Sequence, residues 1–298
     1  MSAPGEGTPG GVLPEPARLR LPRAAALFGQ RASRLSELSR GHAASDWLTS
    51  LSALCAAQRE AALAVPPALP DGSLPAAAPL CAAEWRRQPT WRNALSVILA
   101  RVSKLGWPSP ARAALERLAG ASTGDLEALA DAFLAGRFAR EDLALAPFLA
   151  AGLQAYFTGL AERIDPGRLE TSGRGCPVCA SPPVAGAIQG DDRVRLLRCS
   201  LCGSDWHLVR VQCATCRSGA GLSYAAVEGA PKGTRAEVCS GCKTYLKLFT
   251  LEDQPGAEPL ADDAASLSLD LLLAEEGYAR GGVNLLLAPP LEGVAGSA

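Results

Sequence analysis

Long hydrophobic runs are missing from this 298-residue sequence. The apolar stretches at residues 95–100 and 267–274 are short or interrupted by charge, well under the ~20 residues that a membrane-spanning helix needs, so no membrane insertion is expected. The first 22 residues alternate Gly, Pro and small side chains and contain no apolar stretch of the kind a secretory signal requires. They are expected to form a flexible tail on a cytoplasmic protein. An excess of one charge is missing as well: 29 Lys and Arg stand against 30 Asp and Glu, a net charge of −1. That balance weakens any reading as a nucleic-acid-binding protein, which would present a basic surface.

What the sequence has is cysteine. Ten cysteines in a chain without an export signal argue against structural disulfides, because cytosolic thiols are kept reduced. Metal binding becomes their leading use. With 48% hydrophobic and 20% charged residues the chain has a globular composition, and it is long enough for two domains, each with its own core. The 23 prolines and 30 glycines point to tails and linkers between folded parts.

From about Pro22 to Ile164 apolar residues recur at helical spacing among many Ala, Leu and Arg, which predicts an all-helical region. Trp47, Leu48, Leu51, Leu54 and Cys55 share one face behind Ser45, a residue type that caps helix starts, and Leu95, Ile98, Leu99 and Val102 repeat the pattern. A third helix is expected from Ser109, with Pro110 where its missing donor costs nothing and with Leu115 and Leu118 facing inward. A fourth opens near Ser122 or Thr123, carries Leu126, Leu129, Phe133 and Leu134, and stops at Gly136. A fifth runs from about Pro147 to Ile164. The proline-rich residues 66–79 read as an exposed loop.

Asp165-Pro166-Gly167 ends the helical series. Beyond Gly175 the texture changes to short β-like runs, at residues 194–197 and 206–211, punctuated by cysteine pairs. A last helix is expected over residues 262–276, with Asp262 as its cap and Leu269, Leu272 and Leu273 on its buried face. The expected fold is therefore α+β. A tail (1–22) precedes an all-helical domain (23–170), two small rubredoxin-like or zinc-ribbon metal modules (171–212 and 213–255), and a C-terminal helix with a tail (256–298).

Four Cys-x-x-Cys units, Cys176/Cys179, Cys199/Cys202, Cys213/Cys216 and Cys239/Cys242, are spaced as a duplicated module. Two sulfurs separated by two residues form a tight knuckle that converges on one cation, and a hairpin brings a second knuckle to complete a tetrahedron. One such unit is a weak signal shared with redox motifs; four with matched spacing are a strong one. Sequential and interleaved pairing of the units both satisfy the spacing, with sequential pairing favoured by the short link of residues 203–212. All-sulfur tetrahedra suit zinc or a rubredoxin-type iron. A site closed by four thiolates has no place for substrate or activated water, which disfavours hydrolytic chemistry and an enzyme.

Gly203 follows the second cysteine of its knuckle, where positive φ is often required; Ala180, Arg217 and Lys243 stand at the same place in the others. His207 reads as a structural histidine beside Trp206, and Cys55 and Cys81 as small buried hydrophobes. Eight thiolates against two divalent cations take the net charge from −1 to about −5. The Lys and Arg between residues 193 and 247 then serve largely to neutralise the metal centres, and Trp206, Tyr224 and Tyr245 to pack the ribbons.

The runs Arg198-Cys-Ser-Leu-Cys-Gly-Ser-Asp-Trp-His-Leu-Val-Arg-Val-Gln-Cys213 and Ala236-Glu-Val-Cys-Ser-Gly-Cys-Lys-Thr-Tyr-Leu-Lys resemble the FdhE family of formate dehydrogenase accessory proteins. The resemblance extends through Glu258-Pro-Leu-Ala-Asp-Asp263 and Ser268-Leu-Asp270-Leu-Leu-Leu-Ala-Glu-Glu-Gly-Tyr278, and more loosely through the helical half. It departs from the family at Gly282-Val-Asn284-Leu-Leu-Leu, where a proline commonly follows the asparagine. The resemblance implies a cytoplasmic maturation factor that binds the formate dehydrogenase catalytic subunit, with two metal ions on the eight cysteines and iron ahead of zinc. It leaves room for a homodimer. Two other classes compete: a rubredoxin-like electron-transfer or redox protein, and a nucleic-acid-binding zinc ribbon.

Overall fold

The computed structural model describes residues 18–287, so the expected tail at residues 1–17 and the last residues, 288–298, lie outside the description. The helical half comprises α1 (Ala24–Leu38), α2 (Ser45–Ala64), α3 (Thr90–Val102), α4 (Ser109–Gly120), α5 (Thr123–Leu134) and α6 (Ala146–Ala161). Its helices bury the faces that periodicity marked out: Leu48, Leu51, Leu54 and Cys55 of α2, and Leu95, Ile98, Leu99 and Val102 of α3. α5 opens on a full capping box, in which the Ser122 hydroxyl accepts from the Asp125 N–H and the Asp125 carboxylate from the Ser122 N–H. At α2 the cap differs from expectation. Ala44 holds the position before the helix, Ser45 is the first helical residue, and no side chain caps the start.

α6 is the hub. Every residue from Phe148 to Ala161 is buried, the signature of a helix surrounded on all sides. The stretch Arg140–Ala161, which includes a 3-10 turn (Arg140–Leu145), is long and apolar enough to span a bilayer, and the sequence reading overlooked it. Most of it is buried inside the fold, so its apolarity is used in packing. Gly152 permits this closeness, since a Cβ there would stand 2.9 Å from the Leu95 Cβ of α3.

Eight strands form one sheet: β1 (Leu19–Arg20), β2 (Pro183–Gln189), β3 (Val194–Cys199), β4 (Asp205–His207), β5 (Leu222–Ala225), β6 (Thr234–Cys239), β7 (Thr244–Thr250) and β8 (Ala279–Arg280). Their order is β1-β4-β3-β2-β7-β6-β5, with β8 also on β7. Each metal module contributes three strands in the same spatial order, third, second, first, and the two trios join where β2 runs parallel to β7. The modules are therefore fused side by side in one continuous sheet. Three features depart from the sequence reading. Leu19 and Arg20, placed there in the tail, pair with Trp206 and Asp205. The strand expected over residues 206–211 ends at His207, and Val209 and Val211 are exposed on the turn that follows. The C-terminal helix is two helices, α7 (Pro259–Ala265) and α8 (Leu267–Glu275), broken at Ser266; Glu258 rather than Asp262 caps the first, and Leu272 is exposed.

Buried ion pairs bind the layers together. Glu258 accepts two hydrogen bonds from Arg31 of α1, at 3.0 and 3.1 Å, and one from Arg198 of β3 at 2.9 Å. Both Arg31 and Glu258 are 1% exposed. Asp263 in turn takes Lys247, Arg280 and the Asn284 amide, which fixes α7 to β7 and β8.

Candidate metal centres

The structure resolves the pairing question sequentially. Cys176, Cys179, Cys199 and Cys202 form one cluster and Cys213, Cys216, Cys239 and Cys242 the other, with the four sulfurs of each within 4.8 Å of one another. Contacts between knuckles are 3.5 Å (Cys176–Cys202) and 3.4 Å (Cys179–Cys199) in the first cluster, 3.7 Å (Cys213–Cys242) and 3.8 Å (Cys216–Cys239) in the second. A tetrahedral ion with metal–sulfur bonds near 2.3 Å places its sulfurs about 3.8 Å apart, so each cluster can hold one metal ion.

One backbone design repeats four times. The residue after each second cysteine has positive φ: Ala180 63°, Gly203 73°, Arg217 66° and Lys243 55°. The chain turns back there, and the Ala180, Arg217 and Lys243 N–H groups donate to the carbonyls of Cys176, Cys213 and Cys239. At Gly203 the turn is also crowded: a Cβ there would stand 2.5 Å from Leu27 Cδ2 of α1. One residue further on, each knuckle carries a hydroxyl: Ser181, Ser204, Ser218 and Thr244. Those of Ser181, Ser204 and Thr244 lie 3.4, 3.3 and 3.0 Å from a cysteine sulfur, positioned to support a thiolate ligand. The sequence reading missed these residues, although a Ser or Thr two places after every second cysteine was there to be read.

The two clusters differ in setting. The first sits in the main hydrophobic core, all four cysteines buried. Residues 78–82 run across its first knuckle, with the Ala78, Leu80 and Ala82 N–H groups donating to the carbonyls of Pro177, Val178 and Cys179. The second knuckle docks on α6, where Gln154 donates to the Ser200 carbonyl at 2.7 Å. Burial pushes the Cys176 and Cys202 thiols well up, whereas at Cys199 the neighbouring thiols outweigh burial and hold it down. Four thiolates in that setting require a cation to neutralise them. In the second cluster Cys216 and Cys242 are partly exposed. Burial opposes ionisation of Cys242, but the Thr244 hydroxyl and N–H bring it down to about 7.

The two-cluster arrangement on a helical hub can be compared with proteins already known. Sequence models described as "FdhE, N-terminal", "FdhE, central domain" and "FdhE, C-terminal domain" match residues 16–174, 175–210 and 211–287 in turn. The chain belongs to the FdhE family. A protein FdhE homolog of Pseudomonas aeruginosa is 40% identical over 88% of this chain and 90% of its own length. One of Edwardsiella ictaluri is 36% identical, with 94% of each covered, and protein FdhE of Escherichia coli is 35% identical, with 91% of each covered. The crystal structure of the FdhE protein from Pseudomonas aeruginosa superposes with a TM-score of 0.81 at 37% identity, covering 91% of this chain and 99% of that one. The resemblance read from the cysteine-rich runs thus extends over the FdhE fold as a whole.

The remaining candidates fall outside both clusters. His207 lies in β4 and joins neither. Cys55, on the inner face of α2, is fully buried in a core cluster shared with α1, β2, β7 and α7, its thiol pushed up to about 12 by burial, as expected of a small hydrophobe. Cys81 lies partly buried in the segment crossing the first knuckle.

Proposed function

We propose that the chain is a formate dehydrogenase accessory protein that binds the catalytic subunit of that enzyme in the cytoplasm, is needed for its activity, and turns over no substrate itself. Eight cysteines, Cys176, Cys179, Cys199 and Cys202 with Cys213, Cys216, Cys239 and Cys242, hold two metal ions, iron or zinc. Membership of the FdhE family along the whole chain carries the reading. The chemistry of the sites supports it: four sulfurs converge on each centre, and an ion held by all four keeps no free position at which a substrate could be activated. Such a centre braces a surface, and here that surface is a sheet joined to the helical half through the buried ion pairs on Glu258.

The test is anaerobic isolation of the tagged, metal-loaded protein from its native host, with mass spectrometry of what accompanies it. Recovery of a formate dehydrogenase catalytic subunit, lost in a Cys213→Ser/Cys216→Ser variant, supports the proposal. Recovery of electron-transfer proteins or nucleic acid in its place overturns it in favour of the competing classes.

A further inference from the structure

The two clusters share a knuckle design and a sulfur geometry, yet they are unequally reachable. In the first, Cys176 is 2% exposed and Cys179, Cys199 and Cys202 are 0% exposed. That cluster is closed over by residues 78–82, by α6, and by the Leu285 N–H donating to the Ser200 hydroxyl at 2.8 Å. No sulfur can be approached there unless part of the main core opens. In the second, Cys213 and Cys239 are buried, but Cys216 and Cys242 reach the surface. The rim around them is small and open: Gly219, Ala220, Gly221, Ser240 and Gly241 are all exposed.

From this asymmetry we propose a division of labour that rests on the metal occupancy proposed above. The first centre is a fixed staple, whereas the second is an exchange site that accepts a thiolate from outside the chain in place of Cys216 or Cys242. The chemistry is ligand substitution. An entering thiol would give up its proton and form a metal–sulfur bond at the ion held by Cys213, Cys216, Cys239 and Cys242. The bond to Cys216 or Cys242 breaks, and that sulfur takes up a proton. The metal keeps its charge and nothing is oxidised or reduced. The second centre can thereby attach transiently to a cysteine of a partner protein.

The experiment uses full-length protein loaded with zinc, its content first verified. Release of zinc to the chromophoric chelator 4-(2-pyridylazo)resorcinol is followed over a range of glutathione concentrations. After the fast phase, exposed thiols are alkylated with N-ethylmaleimide and mapped by mass spectrometry. One zinc per chain should leave at a rate that rises with glutathione, with label on Cys213, Cys216, Cys239 and Cys242. The other zinc should leave roughly a hundredfold more slowly or worse, because its release needs local unfolding of the core. Two zincs leaving in a single phase, or label appearing first on Cys176, Cys179, Cys199 and Cys202, overturns the inference alone. Fewer than two zincs in the loaded protein overturns the metal reading, and this inference with it.

Discussion

Four residues follow the second cysteine of a knuckle, and what each tolerates depends on its neighbours more than on its shared backbone angle. At Ala180, Arg217 and Lys243 a side chain accepts positive φ at a modest local cost. At Gly203 the same φ comes with Leu27 Cδ2 2.5 Å from where a Cβ would be. Gly203→Ala should therefore destabilise the metal-loaded protein by roughly 2–4 kcal/mol, whereas Ala180→Gly should shift it by less than about 1 kcal/mol. Urea unfolding midpoints of the two variants measure the contrast, and equal midpoints would count against the crowding argument. The cysteines themselves were legible in the sequence because ligand spacing is local: two residues between sulfurs make a knuckle whatever surrounds it. Gly203 was legible only in part, since its backbone requirement is local and its contact with Leu27 is not.

Among the elements, α2 to α6 were readable one by one from their local apolar and capping patterns, whereas α1, whose stripe is interrupted by a charge, was covered only by the general helical texture of residues 22–164. α1 has no capping side chain, and its buried face includes Arg31, a charge that makes sense only once Glu258, more than two hundred residues away, is set against it. α7 shows the same dependence. Its cap is Glu258, whose carboxylate accepts the Ala261 N–H while holding Arg31 and Arg198. Burial would raise the Glu258 pKa, but the two guanidiniums outweigh it and hold the group below the usual carboxylate value. A depressed folded-state pKa contributes stability above the ordinary carboxylate range and loses it as pH falls through the depressed value. Glu258→Gln should cost about 3–5 kcal/mol at neutral pH, because it leaves buried guanidiniums short of a counter-charge. It should also shrink the loss of stability on acidification. Denaturant titrations at neutral and acidic pH test both, and a parallel loss in variant and parent would show that Glu258 does not govern the acid limb. The joining of the ribbons was out of reach of pattern reading, since the parallel pairing of β2 with β7 links strands over fifty residues apart and no local signal encodes it.

Over the whole molecule, the sequence suggested separate helical and metal-bearing domains, but the first cluster shares its core with α3 and α6. Metal removal should consequently loosen the helical half as well as the sheet. Stripping the protein with a strong chelator should lower the melting temperature of the helical circular-dichroism signal together with that of the sheet. An unchanged helical transition would separate the two halves after all. The sheet has a further consequence. Because the two trios of strands are related by a shift rather than a half-turn, the joint between them does not close on itself. Among the described residues nothing pairs with the outer side of β5, the counterpart of the β2 side that meets β7, so the same joint can be made again between copies, β5 of one against β4 of the next. β1 stands in the way, covering β4 through Leu19 and Arg20. This two-residue strand is thus a chain terminator in the polymer sense. Without it, as in a Leu19→Pro/Arg20→Pro variant followed by light scattering, the protein should grow end to end into filaments as its concentration rises.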